Sequence, residues 1–563
     1  MLYCRNRYTA AKHAGNNMIL QTILSFLPVV FLIFLMTKKN NTPSHIALPL
    51  TALITYVVML VVFQRDPNLI HANILDGLLT AWTPILIVWG AIFLFRTMEA
   101  SGAMNTIRSW LNSVTPNKVA QLMIVGWAFV FLIEGASGFG TPAALAAPIL
   151  VGLGFPPLRV AIMALIMNAS SVSFGAVGTP TWFGFASIDL SSAEILEIGA
   201  KSAVIHGAAS LVIPVIALSF LVKWSHIRKN LGFVYLSIAA TVLPYIAIAF
   251  YNYEFPALVG GAIGLVLSVI FAKLGWGLDK KEGHLLEMLH EQGNIQTFDA
   301  DVYPHRERVG AASLVKASFP LWGTILVLVI TRIPQIGLKN LLNLVEPAAI
   351  LSLGSLGVFS ISPSLTIGLN GIFGTAVSWS HRLLYVPSII PFALISLLTF
   401  AWYRSSRTML YQVFTSSVQQ MKNPTKALLG ALVFVNLMMM GGDTAAVAII
   451  GESLARITGN AWLYFASLLG ALGSFFSGSN TISNLTFGPI QDSIAGSAGL
   501  NRTTVMALQS VGGAMGAMIS INNIVAVSSV LALENSEGYI LKRTARALLV
   551  YAAIAAFMSL FMG

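Results

Sequence analysis

Residues 133–142 read IEGASGFGTP and follow directly on the apolar run VAQLMIVGWAFVFL. Such a run is the material of a membrane-spanning helix, which takes about 20 predominantly apolar residues. Here it gives way to a glutamate, three glycines, a serine, a threonine and a proline, and then a second apolar stretch, AALAAPILVGLG, resumes. A soluble loop is one reading. A chain that turns back inside the bilayer is the other, and the rest of the sequence decides between them.

The sequence has 563 residues, of which 56% are hydrophobic and 9% charged, against about 25% charged in an ordinary soluble domain. So little charge cannot cover a soluble surface, and the class is polytopic membrane protein. The net charge of +11 does not point to nucleic acid, because the basic residues sit in short clusters between apolar runs, as orienting charges beside membrane helices do. Cys4 is the single cysteine, which excludes an internal disulfide and a cysteine metal cage. No metal site and no cofactor are expected.

Apolar runs near the spanning length lie at 18–36, 46–63, 75–95, 118–134, 201–222, 232–250, 256–273, 315–330, 385–402, 424–440, 461–476 and 543–562. Shorter stretches interrupted by Gly, Ser and Pro lie at 135–187, 346–380 and 477–533. Arg5, Arg7 and Lys12 precede the first run, yet it is longer than a signal core and no small-residue cleavage site follows. It reads as a retained helix, with 1–17 an N-terminal extension and Met18 a candidate start. The expected organisation is a first transmembrane half at 18–273, a charged linker at 274–313 and a second half at 314–563, all α-helical.

Basic residues cluster at 223–230 (Lys223, Arg228, Lys229), 274–313 and 403–426, whereas 187–198 is acidic with Asp189, Glu194 and Glu197. By the positive-inside rule the basic loops face the cytoplasm and the acidic one faces outward. His284, His290 and His305 are spread among acids without ligand spacing, so they read as solvated.

A repeat answers the opening question. RVAIMAL at Arg159–Leu165 matches RTTVMAL at Arg502–Leu508, an offset of 343 residues, and SGFGTPAAL at Ser137–Leu145 matches SGSNTISNL at Ser477–Leu485, an offset of 340. Glu99 and Asp443 stand ahead of the respective tips. The segment 159–187 ends at the outward loop and so starts inside; 502–533 ends near Lys542, Arg543 and Arg546 and so starts outside. Two repeats running in opposite directions, with interrupted helices, are the plan of many secondary transporters.

Backbone that leaves the helix inside a bilayer has unpaired polar groups that protein, water or ligand must satisfy. Two re-entrant hairpins with meeting tips place those groups, and helix N-termini that favour anions, around a small cavity. The candidate substrate residues are Ser137, Gly138, Gly140 and Thr141 at the first tip and Ser479, Asn480 and Thr481 at the second. Ser173, Thr179 and Asn522 join them from the broken segments Ser170–Pro180 and Gly512–Asn523. The other reading of Gly512, Gly513 and Gly516 is tight helix packing.

At these residues the chain resembles the L-lactate permease family, above all in the block IEGASGFGTPAALAAPILVGLGFPPLRVAIMALIMNASSVSFGAVGTP, Ile133–Pro180, and the resemblance runs from about Met18 to the C-terminus. It implies import of L-lactate, D-lactate and glycolate across a bacterial inner membrane, with proton coupling. The Ser479-Asn480-Thr481 tip is also similar to the hairpin tips of the sodium/dicarboxylate symporters in the wider ion-transporter superfamily. There two such tips bind sodium and the substrate carboxylate, and the binding domain moves as an elevator. The first tip here departs from that pattern with Gly138-Phe139-Gly140-Thr141, which puts a sodium site in doubt. Elevator-type relatives are commonly homodimers, which is the assembly the resemblance implies.

Acids inside a bilayer are costly and functional by default. Glu134 and Asp443 are the candidate proton carriers, since desolvation favours a neutral carboxyl; a structural ion pair or helix cap is the alternative. Glu99 is expected to pair with Arg96 on one helix face. Arg159 and Arg502 lead their apolar runs and read as interfacial anchors, and His206 reads as a hydrogen-bonded packing residue. Two further classes compete with a symporter. Gly135-Ala136-Ser137-Gly138 matches the short GxSG pattern of intramembrane serine proteases, with His206 as base, but leaves the repeat unexplained. An anion channel needs no protonatable acid.

Overall fold

The computed structural model describes residues 21–35, 42–138, 141–279, 310–332, 336–386, 388–531, 533 and 536–562. The extension 1–17 and most of the expected linker lie outside the described residues. Among those described, nine helices are long and apolar enough to cross a membrane, and the chain is a multi-pass membrane protein.

Their burial sorts them into an inner and an outer set. Lys118–Ala136 and Pro157–Trp182 are 100% buried over their most apolar windows, whereas Ser44–Val61, Leu231–Ala249 and Pro256–Leu274 are 44% buried. The outer helices leave one apolar stripe uncovered, with Leu53, Val57, Leu243 and Val266 exposed. In a bilayer such stripes face lipid, so the inner helices form the core and the outer ones wall it.

Both interrupted stretches that frame the repeat fold back on themselves. The first hairpin climbs through Lys118–Met123, a π-helical turn at Ile124–Phe129 and Val130–Ser137, turns at Gly138, and returns as Thr141–Gly152. The second climbs as Trp462–Ser477, turns at Gly478 and returns as Asn480–Ala498. Each is followed by a broken helix. Pro157–Asn168 passes through a 3-10 segment, Ala169–Phe174, into Gly175–Trp182. Arg502–Gly516 passes through Ala517–Ile519 into Ile521–Val530.

The expectation of an all-α chain needs a correction at 346–380. That stretch is not membrane-embedded helix but a four-stranded antiparallel sheet, β1 Ala349–Ser352, β2 Val358–Ile361, β3 Thr366–Asn370 and β4 Trp379–Arg382, in the order β1-β2-β3-β4. Its register aligns Leu351, Phe359, Leu369 and Trp379 across the strands on one face. Phe359, Leu369 and Trp379 rest against Ala72, Leu75 and Leu79 of the helix Pro67–Thr80. Thr83 Oγ1 and His381 Nδ1, 2.8 Å apart, pin the far strand. The strands are four or five residues long, and among them only Thr366–Asn370, TIGLN, alternates apolar with other residues, so the sequence carries little of the period-two signal of a strand.

The inner helices approach at backbone distance. A Cβ on Gly135 would fall on the backbone of Leu258, and one on Gly261 on that of Leu132, so Val130–Ser137 and Pro256–Leu274 touch main chain to main chain. Small residues at such crossings supply the dispersion contacts that hold membrane helices together. Gly261→Val forces the two helices apart, and overpacking of about 1–3 kcal/mol or more is expected. The melting temperature of the detergent-extracted protein should fall clearly; an unchanged value contradicts this packing.

Candidate functional site

The two tips and the two helix breaks converge on one cavity. It is lined by Glu134 and Gly138 from the first hairpin, Asn168, Val172, Gly175, Ala176 and Pro180 from the first broken helix, Gly478, Ser479, Asn480 and Thr481 from the second hairpin, and Ala517 and Asn523 from the second broken helix. Each part has a local reason. Gly138 takes φ 62°, ψ −158°, a region that only glycine enters without strain. Gly478 takes φ 76°, and Ser479 then caps the returning helix, its Oγ accepting from Ile482 N at 3.3 Å. In the first broken helix Ala176 and Val177 both have positive φ, 44° and 58°, which is uncommon for any side chain and an outlier for a β-branched one. Strain of this kind gathers where function over-determines the backbone.

The cavity offers donors and one acid. The helix Asn480–Ala498 points its N-terminus at it, where the first backbone N–H groups of any α-helix have no partner within the helix and the dipole favours an anion. Glu134, 1% exposed, is the single ionisable residue among the described residues lining the cavity. Its Oε2 accepts from Asn168 Nδ2 at 3.0 Å, and a Cβ on Gly175 would collide with its Oε1. Asn480 is fixed by donating from Nδ2 to Ser510 O at 3.0 Å. The cavity volume is about 20 Å³, room for roughly one water.

Ser173, Thr179 and Asn522 are engaged beside the cavity rather than in its described lining. Ser137 ends one arm of the first hairpin and Thr141 begins the other; Gly140 lies outside the described residues. Ser173 Oγ is bonded to His206 Nε2 at 2.8 Å and donates to Ser510 O at 3.1 Å, and Thr179 Oγ1 donates to Ala176 O. Both serve the walls. Asn522 is exposed and donates to Ser477 O at 3.1 Å, and its neighbour Asn523 lines the cavity instead. Asp443 sits in the turn Gly442–Thr444, between exposed Gly442 and exposed Thr444, where Arg65 Nη2 donates to Thr444 O at 2.8 Å.

The charged candidates are engaged away from the cavity. Arg96 and Glu99 pair at 3.1 Å, and Arg159 donates to Phe220 O at 2.8 Å. Arg502 holds Glu194 at 3.0 Å and also pairs with Asp492, so it is an internal ion-pair centre rather than a lipid anchor. His206, fully buried, bonds to Ser173 and through Nδ1 to the hydroxyl of Tyr551. Sequence reasoning missed Asn168, Gly175 and Ala176. Asn168 stands as a lone amide in the run LIMNASS, which does not say what it faces.

A model of the L-lactate permease family matches residues 21–563. The chain belongs to the L-lactate permease family. A Haemophilus influenzae member is 51% identical over 543 residues, covering 96% of this chain and 98% of its own. The L-lactate permease of Escherichia coli K12 is 24% identical over 555 residues, with 96% and 95% covered. The glycolate permease of the same organism is 23% identical over 553 residues, with 96% and 95% covered. The family match thus spans all the described residues, hairpins and sheet included.

One glycine tests the placement of Asn480. A Cβ on Gly513 would run into Asn480 Oδ1, whereas one on Gly512 would meet Ser467 O. Gly513→Ala therefore displaces the amide at the cavity wall. Loss of one hydrogen bond there is worth about 1–1.5 kcal/mol, roughly tenfold in apparent substrate affinity. Transport kinetics in vesicles with normal protein content should show that rise in KM; an unaltered KM removes Asn480 from the site.

Proposed function

We propose that this permease is a secondary active transporter that imports L-lactate and related 2-hydroxymonocarboxylates, D-lactate and glycolate, across the bacterial inner membrane by proton symport. The observation that carries the reading is the meeting of both hairpin tips at one cavity, where Glu134 is the single ionisable group among the described lining residues. The family and the names of its L-lactate and glycolate permease members support the substrate class. A small carboxylate fits a site made of helix N-terminal amides, hydroxyls and side-chain amides, and Glu134 is the group placed to carry the proton that neutralises the transfer.

The order of elements supports two inverted repeats. Hairpin then broken helix occurs twice, and the loop charges orient the first pair from the cytoplasm and the second from outside. Such repeats around a midplane site go with alternating access, here of the elevator type. A homodimer would give the moving parts a fixed frame. At about 20 Å³ the cavity is too small for a six-heavy-atom acid, which needs several waters' worth of space. Binding therefore requires a tip to move.

The experiment is uptake of labelled L-lactate into proteoliposomes with proton or sodium gradients imposed in turn. Accumulation should follow the proton gradient and ignore sodium; accumulation driven by sodium alone contradicts the reading. Glu134→Gln should lower accumulation more than exchange of pre-loaded lactate, because exchange needs no net proton movement. Equal loss of both, with normal insertion, removes Glu134 from coupling.

A further inference from the structure

Glu134 does not have to act on the substrate through its own charge alone. Asn168 lies beside it, 5% exposed, in the cavity lining. Half of its amide is spoken for, since Nδ2 donates to Glu134 Oε2 at 3.0 Å. The other half is not: Oδ1 is buried and accepts from no protein group among the described residues. A buried acceptor without a donor is costly, and one beside a cavity meant for a carboxylate is wrong for an anion. The arrangement is what an ionised Glu134 imposes, because a carboxylate accepts only and must be met by the amide N–H.

We propose that Asn168 is a positioning residue that relays the protonation state of Glu134 to the substrate by reversing its side-chain amide. When Glu134 takes up a proton, its O–H becomes a donor. The amide then turns about Cβ–Cγ, a soft and roughly two-fold torsion. Oδ1 now accepts from the Glu134 O–H, and Nδ2 swings to the side where Oδ1 had been. The cavity exchanges an acceptor for a donor, and the substrate carboxylate gains a hydrogen bond. No bond other than the carboxyl O–H forms, and the volume of the side chain is unchanged. The proton favours the anion, and by linkage the anion favours the proton to the same degree. This deepens the reading above and rests on it.

The surroundings leave that role to Asn168. Asn168 is held at its backbone, where its carbonyl accepts from Ser171 Oγ at 2.9 Å, and among the described residues its amide makes one hydrogen bond, to Glu134. The charged groups on the segments packed around Glu134 are placed or engaged elsewhere. Arg159 donates to Phe220 O, and Arg96 pairs with Glu99. Glu254 has its Cα against Gly178, not Glu134. Lys273 lies fifteen residues beyond Leu258 on the same helix, roughly 22 Å along it.

The test is the pH dependence of the apparent affinity for labelled L-lactate in exchange across proteoliposomes with equal pH on both sides. In the unmodified protein KM should rise as pH is raised, approaching roughly tenfold per pH unit once Glu134 is ionised. Glu134→Gln, whose amide can donate to Asn168 at every pH, should give a flat profile. The decisive pair is Asn168→Thr and Asn168→Val, nearly equal in shape. The threonine hydroxyl can donate to a carboxylate or accept from an acid, so it should keep most of the slope; valine should lose most of it. Equal slopes in the two variants overturn the relay, and if Glu134→Gln is flat at the same time, Glu134 as proton site stands without it. A slope that survives Glu134→Gln overturns both.

Discussion

Backbone amides and carbonyls have no water to turn to inside a bilayer, and every feature of this protein's centre answers to that constraint. Around the cavity the chain leaves the α-helix at Gly138, at Ala169–Phe174, at Gly478 and at Ala517–Ile519. Each break frees polar groups at a cost of several kcal/mol if they stay unpaired. Bringing all four breaks to one place lets them satisfy one another and leaves the remainder facing a shared cavity. The site is thus the residue of the hydrogen-bond accounting, not an addition to it.

A buried polar network does the pairing and joins the two halves. Asn480 holds Ser510 O, Ser173 reaches the same carbonyl, His206 bonds Ser173, and Tyr551 closes the line from the last helix. Asn484 Nδ2 donates to Pro180 O across the halves at 2.9 Å. On the outward side as read from loop charge, Arg502 with Glu194 and Lys201 with Glu197 and Thr503 tie the same halves near the surface. Networks of this kind fix a single geometry when fully satisfied. The two unpartnered acceptors beside the cavity, Asn168 Oδ1 and Asn480 Oδ1, stand out against it.

Much of this was legible in the residues. Glycine with serine, threonine and asparagine at matched offsets marked both tips, and an acid at the end of an apolar helix marked Glu134, because each is expensive in a bilayer and so informative. Where the signal was cheap, the reading failed or missed. The stretch 346–380 carries the same Gly and Ser content, yet it pairs strand to strand as a sheet, and its short strands give little alternation to show it. Asn168 was hidden because one amide in an apolar run says nothing of what faces it. Asp443 looked like Glu134 in composition, among glycines, yet its turn lies among exposed residues.

The central claim is that both hairpin tips hold the same small acid. A cryo-EM structure of the full chain reconstituted with L-lactate tests it most directly. The account predicts density for the acid between Gly138 and Ser479–Thr481, within hydrogen-bond reach of the second helix's N-terminus, in a cavity wider than the present one. Lactate bound away from either tip, or tips standing apart with continuous helix in place of the turns, would contradict it.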